Sequence, residues 1–332
     1  MNDPLSAKDQ PQSTLCGQLH TATICTTDIA QYATFFGKGM EMTMDGPLEM
    51  SAEKKAIQRQ IWDIPFHIDY DVYHIHRPNI PSLIQIRLLH LKHETPHIHK
   101  SYSSRELGPF SLGFPNGDQR GLDKKLMDMN VDVMADMQEG EIPRPDGTTY
   151  RYWETIYKGP DFLHCVGIER GDGMSQLAPI DEETKLGGPG YSAFVTNQSD
   201  AELAFYTEVL GLELRADRYW EASPGSALGI NEGVEFRFSL VYAPGTSQNH
   251  LLFLDYQDGI FEDTGVKPRL PNQGLGMWSF KCSDLDLVIE NAHKNNVQII
   301  HKITNYADPI TGSKQAFTLL TPSGFLIELF DR

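Results

Sequence analysis

Glu328 stands in an apolar run, Phe325-Leu326-Ile327-Glu328-Leu329. A charge in such a strand needs a partner or a function, since burying an unpaired carboxylate is costly. The two readings are a general acid or base, and a salt bridge to a nearby Lys or Arg. Residues 67–99 hold His67, His74, His76, His90, His93, His97 and His99. His74-x-His76 and His97-x-His99 each place two imidazoles on one face of a strand, and Glu94 or Asp71 would complete a metal set. The plainer reading is a polar insertion with solvated histidines. His250 and His301 sit at strand ends and read as surface residues. Tyr219-Trp220 falls between strands, as an aromatic wall or lid or as ordinary packing. The chain has no GxGxxG after a strand, no P-loop and no GxSxG elbow.

The elements that position these residues repeat. Gly274 to Val297 reads as a short strand, an N-cap at Ser283 or Asp284, a helix buried through Leu285, Val288, Ile289 and Ala292, and the start of another strand. Gly108 to Val131 follows the same plan without a gap: Phe114 matches Phe280, Asp118 matches Asp284 and Val131 matches Val297. Tyr191 to Leu214 and Thr21 to Met42 open in a similar way. Such a repeat governs the whole fold. Each module reads as βαβββ, and two consecutive modules are expected to make one domain.

The chain-level bounds agree with a folded two-domain protein. Its 332 residues allow two domains of ordinary size, and 40% hydrophobic content supports real cores. A net charge of −17 argues against nucleic acid as a partner. No apolar run approaches the ~20 residues needed to span a bilayer, so no membrane partner is expected. The opening residues lack a basic region and an apolar core, unlike a signal peptide. Cys16, Cys25, Cys165 and Cys282 are scattered without CxxC spacing and read as reduced thiols in a cytoplasmic protein. The expected division is a flexible lead over residues 1–15, a first domain over 16–170 with an insertion at 53–81, a linker at 171–190, and a second domain over 191–332.

The segments FYTEVLGLEL, SDLDLVIENAHKNNV and TPSGFLIELF, in that order, resemble the vicinal oxygen chelate superfamily of glyoxalase I, bleomycin-resistance proteins and extradiol dioxygenases. The resemblance covers nearly the whole chain and implies an α+β fold: four βαβββ modules in two tandem domains with cup-shaped mixed sheets. It also implies that a divalent metal often sits in the cup, on His, Gln and Glu ligands. Carried over, the ligand positions fall on Tyr191, Met277, Glu328 and Leu252 in the second domain, and on Thr21, Arg87, Ser111 and Val166 in the first. Of these, Glu328 alone is a usual ligand. No cofactor is therefore assigned, and a divalent metal (Fe, Mn or Zn) is left open.

The resulting expectation is a small-molecule enzyme acting in the C-terminal cup on an apolar or aromatic compound, with a structural first domain. Glu328 and Tyr191 would be catalytic, giving proton-transfer chemistry of the isomerase, lyase or epimerase type. Met277, Leu252, Tyr219 and Trp220 would contact substrate, with Arg87 as a carboxylate clamp or an ion-pair partner. A ring-cleaving oxygenase with atypical ligands and a non-catalytic sequestering protein are the alternatives. A homo-oligomer is left open.

Overall fold

A computed structural model describes residues 14–143 and 147–331. Most of the expected lead lies outside the described residues. The backbone carbonyls of Thr14 and Leu15 accept hydrogen bonds from Ser283 Oγ at 2.9 and 3.2 Å.

Four modules follow one another. The first holds β1 (Cys16–Thr26), α1 (Ile29–Tyr32) continued by a π-helical turn (Ala33–Gly39), β2 (Thr43–Asp45), α2 (Ala52–Ile61), β3 (Tyr70–His76) and β4 (Gln85–Leu91). The second holds β5 (Gly108–Pro115), α3 (Gln119–Asp128), β6 (Gln138–Pro143), β7 (Thr149–Lys158) and β8 (His164–Arg170). The third holds β9 (Tyr191–Val195), α4 (Ser199–Ala204) with its π-helical turn (Phe205–Val209), β10 (Glu213–Glu221), β11 (Glu235–Tyr242) and β12 (His250–Tyr256). The fourth holds β13 (Gly274–Cys282), α5 (Leu285–Lys294), β14 (Ile299–Asn305), β15 (Gln315–Leu320) and β16 (Leu326–Phe330). The caps explain why three modules start their helix at the same place. Asp28, Asp118 and Asp284 accept from the backbone N–H groups of Gln31, Gly121 and Leu287, as a short acid at the N-cap does.

The α+β class and the four modules stand as expected, in two eight-stranded sheets, but the modules pair differently. One sheet runs β14-β15-β16-β13-β1-β4-β3-β2 and the other β10-β11-β12-β9-β5-β8-β7-β6. The first module therefore joins the fourth, through antiparallel β1 and β13, and the second joins the third, through β5 and β9. The segment 171–190 does not divide one sheet from the other. Periodicity within a module cannot reveal this, because the edge on which its first strand finds a partner is a non-local choice.

The sheets share a core. Ile24, Ile86 and Leu88 of one and Phe114, Phe194 and Phe253 of the other are buried in the same cluster. Trp278 spans the junction, its Nε1 donating to Ser192 Oγ at 3.1 Å. The opposite face of each sheet forms a cup.

The cup of the first and fourth modules is filled. The insertion folds over it: Ser51 caps α2, and Ile61, Trp62, Ile64 and Ile68 are buried against Met277, Leu326 and Phe330. Beneath them lies Arg87, fully buried. Its guanidinium donates to Glu328 Oε2 at 3.0 Å and to Thr23 Oγ1 at 3.2 Å. It also pairs with Asp308 Oδ2 at 3.0 Å and stacks 4.7 Å from the centre of the Trp62 ring. Glu328 accepts further from Trp62 Nε1 and Ser279 Oγ, both at 2.7 Å. The Asp308 carboxyl is desolvated, which alone would raise its pKa. The Arg87 charge and the backbone N–H groups of Thr311 and Ile310 outweigh that and hold it below the usual range. Both carboxylate oxygens of Glu328 are thus engaged by protein.

Breaking one partner of a buried ion pair leaves the other charge uncompensated, at a cost of ~3–5 kcal/mol. Glu328→Gln is accordingly expected to lose about that much stability in urea unfolding at neutral pH. A loss below ~1 kcal/mol, the range of exposed pairs, would show that Glu328 does not hold Arg87.

Candidate functional site in the open cup

The sequence-selected residues divide between the cups. Glu328, Arg87 and Met277 meet in the filled one. Tyr191 and Leu252 lie in the cup of the second and third modules, within one apolar cluster. Glu328 and Tyr191 therefore do not face each other, and the cup expected from the C-terminal half alone does not form. Tyr219 and Trp220 are not between strands but inside β10, which runs on to Glu221. As strand neighbours they point to opposite faces. Trp220 lies 6.4 Å from the Phe238 ring on the cup side, and both Tyr219 and Trp220 are exposed.

This second cup is the more open of the two, although Ala227, Leu228 and Ile230 of the β10–β11 connection, with Met134 and Leu177, pack on it. Leu252, Phe236, Phe238 and Ile168 are only half-buried, although they pack around buried Val166, Ala193, Leu254 and Ile156. Gly113 on β5 makes room for Tyr191. A Cβ there would stand 1.8 Å from Tyr191 Cε1, so no other residue fits without moving the ring.

One carboxylate faces this apolar surface. Tyr152, Glu154 and Ile156 alternate onto the cup face of β7, and Ile156 packs with Tyr191. Glu154 has no hydrogen bond or ion pair among the described residues, and burial pushes its carboxyl up to about 7. The residue as a whole is half-buried. Tyr191 is raised well above its ordinary value, mainly by burial and further by the Glu154 charge, so its phenol stays protonated. Beside it, His250 is sandwiched between Tyr191 and Tyr242, at ring distances of 5.1 and 4.6 Å. Burial, with the nearby Arg170 charge, pushes His250 down to about 3, which keeps the imidazole neutral. His250 is buried, not the surface residue its strand-end position suggested. Sequence reasoning misses Glu154, yet the signal is the one that singles out Glu328: an acid at an alternation position otherwise apolar or aromatic.

The remaining histidines separate. His97 pairs with Asp161 at 3.7 Å, whereas buried His99 pairs with Glu106 at 3.1 Å. They share no site. His164 is buried against the Tyr102 carbonyl at 3.1 Å and pushed down to about 4 by burial. The carboxylate beside His74 and His76 is Asp45, not Glu94 or Asp71. Asp71 pairs instead with Lys92, and Glu94 accepts from Gln273.

The metal positions implied by the resemblance recombine with the modules. Thr21, Arg87, Met277 and Glu328 come together in one cup, and Ser111, Val166, Tyr191 and Leu252 in the other. Neither set fits a metal. In the first, a guanidinium lies against the single carboxylate of the set. The second offers a phenol and a hydroxyl among apolar side chains.

Four βαβββ modules closing two curled sheets define the glyoxalase-like architecture. The family model of the Glyoxalase/Bleomycin resistance protein/Dioxygenase superfamily matches residues 188–329. Glyoxalase I from Zea mays is similar in structure, with a TM-score of 0.59 and 11% identity, over 95% of this chain and 92% of that one. A putative dioxygenase from Bacillus subtilis is also similar, with a TM-score of 0.53 and 14% identity, over 97% of this chain and 86% of that one. At such identities the likeness shows the fold alone. No curated protein matches the chain in sequence. Among the described residues, no helix is long and apolar enough to cross a membrane.

The contrast between the cups predicts unequal responses to a larger side chain. Met277→Trp overpacks a filled interior and should cost ~1–3 kcal/mol. Leu252→Trp enlarges a half-buried side chain that its neighbours enclose less completely and should cost less than Met277→Trp. Urea unfolding of both variants checks this; equal losses would show the second cup to be closed.

Proposed function

We propose that the open cup is a catalytic site for proton transfer on an apolar or aromatic small molecule, with Glu154 taking and returning the proton. The observation that carries this reading is a half-buried carboxylate on an apolar face with no hydrogen bond or ion pair among the described residues, which burial pushes up to about 7. A general acid or base works best when its pKa lies near the operating pH, and desolvation is a recurrent way of tuning a carboxyl to that value. The protonated phenol of Tyr191 is placed to donate a hydrogen bond to a substrate oxygen, the one that gains negative charge when a neighbouring C–H loses its proton. Leu252, Phe238 and Trp220 supply the apolar wall that binding pockets of this kind need. Isomerase, lyase and epimerase reactions share this step. No step is routed through a metal, because the residues at the family positions do not fit one.

Deuterium incorporation tests the step whatever the final product is. Apolar carbonyl compounds with an acidic C–H are incubated with protein in deuterium oxide. Wild type should catalyse exchange, at a rate that rises as pH increases through about 7, because a base must be ionised. Glu154→Gln should slow exchange by ~10²–10⁴-fold and flatten the pH profile. Stability gives an independent sign. The unfolded carboxyl titrates near its ordinary 4.5 and the folded one near 7, so between them the folded state binds more protons. Stability therefore falls as pH rises through that window, and Glu154→Gln should abolish that slope. A Gln variant with wild-type exchange and an unchanged profile would end the proposal. Tight binding of the compounds, with none exchanged by either protein, would favour sequestration.

A further inference from the structure

The filled cup carries a side-chain cluster at its rim that the proposed reaction does not use. We propose that Asp45, His74 and His76 bind a divalent transition-metal ion, of the zinc, cobalt or nickel type, at the outer edge of the first sheet. β2 is the last strand of that sheet and only three residues long. It pairs antiparallel with β3, with Asp45 directly opposite His74. His74 and His76 share the cup face of β3, and their rings lie 4.2 Å apart at an interplanar angle of 18°. One ligand atom from each of the three residues falls within 4.8 Å of the other two. His76 Nε2 already lies 2.7 Å from Asp45 Oδ2. Two imidazoles and one carboxylate match borderline divalent ions, with metal–ligand bonds of ~2.0–2.2 Å and at least one position left for water.

The neighbouring shell supports the assignment. Gln85 Nε2 donates to the Leu83 carbonyl at 2.7 Å, which turns its Oε1 toward His74 Nε2 at 2.8 Å. The His74 proton is thereby held on Nε2, and Nδ1 keeps the lone pair a metal requires. A ring nitrogen fixed by a hydrogen bond on its far side is the usual arrangement of a metal-ligating histidine. Access is open, since the Asp45 side chain is 55% exposed. No other group of three or more His, Cys, Asp or Glu residues is spaced for an ion among the described residues. The bound ion would cross-link a short edge strand to its neighbour, and the fold would gain stability from whatever binds it.

The test uses untagged full-length protein freed of metal by chelation and titrated with Zn²⁺, and with Co²⁺ for its visible absorption. One ion per chain should bind, with nitrogen–oxygen Co²⁺ bands, and Zn²⁺ should raise the melting temperature. Gln85→Leu should weaken binding by the ~10–100-fold typical of a lost supporting hydrogen bond. His76→Gln and Asp45→Asn, both near the surface, should weaken it further, and the melting temperature of these variants should no longer respond to Zn²⁺. Absence of stoichiometric binding by wild type would overturn the proposal and leave a plain His76–Asp45 ion pair. Binding that survives in a His74→Gln/His76→Gln variant would also overturn it, placing the ion on other histidines.

Discussion

Two antiparallel pairings, β1 with β13 and β5 with β9, decide which side chains of this protein can meet. Each module exposes its first strand, and that strand must satisfy its backbone groups on a partner. Joining the first module to the fourth closes one cup and joining the second to the third closes the other. Arg87 then reaches Glu328 across 241 residues of chain, and Glu154 comes to share an apolar surface with Tyr191. Had consecutive modules paired, neither association could form.

The two cups solve the same problem in opposite ways. A concave sheet face must be covered or left wet. In the first, α2 and the chain that follows it cover the face, and the charges beneath are paired with one another. Arg87 lies against two carboxylates and an aromatic ring. Desolvating such ions is expensive, and their mutual attraction offsets the cost only when hydrogen bonding is nearly complete. The cluster meets that condition at Glu328, which accepts three hydrogen bonds.

In the second cup the β10–β11 connection packs on the face through Ala227, Leu228 and Ile230 but leaves Leu252 and Phe238 half-buried, and Glu154 has no cation partner among the described residues. The different character of Glu328 and Glu154 follows from that alone. One is tied to a guanidinium, a tryptophan and a serine hydroxyl; the other feels burial without compensation, which disfavours its charged form.

The sequence alone determined what depends on neighbours along the chain. Strand and helix positions, the aspartate caps and the fourfold repeat were legible because capping and side-chain alternation are local. Local signals also fail locally: polar β6 carries no apolar alternation, and β10 continues through Tyr219 and Trp220 beyond the point where its pattern fades. The superfamily was legible from three short segments. Tertiary structure alone decided which modules share a sheet, and so whether Glu328 met substrate or Arg87. It also decided that the insertion plugs a cup, and that Glu154 stands near Tyr191 with no ion pair among the described residues. These outcomes rest on contacts between residues far apart in sequence, where periodicity carries no record of the partner.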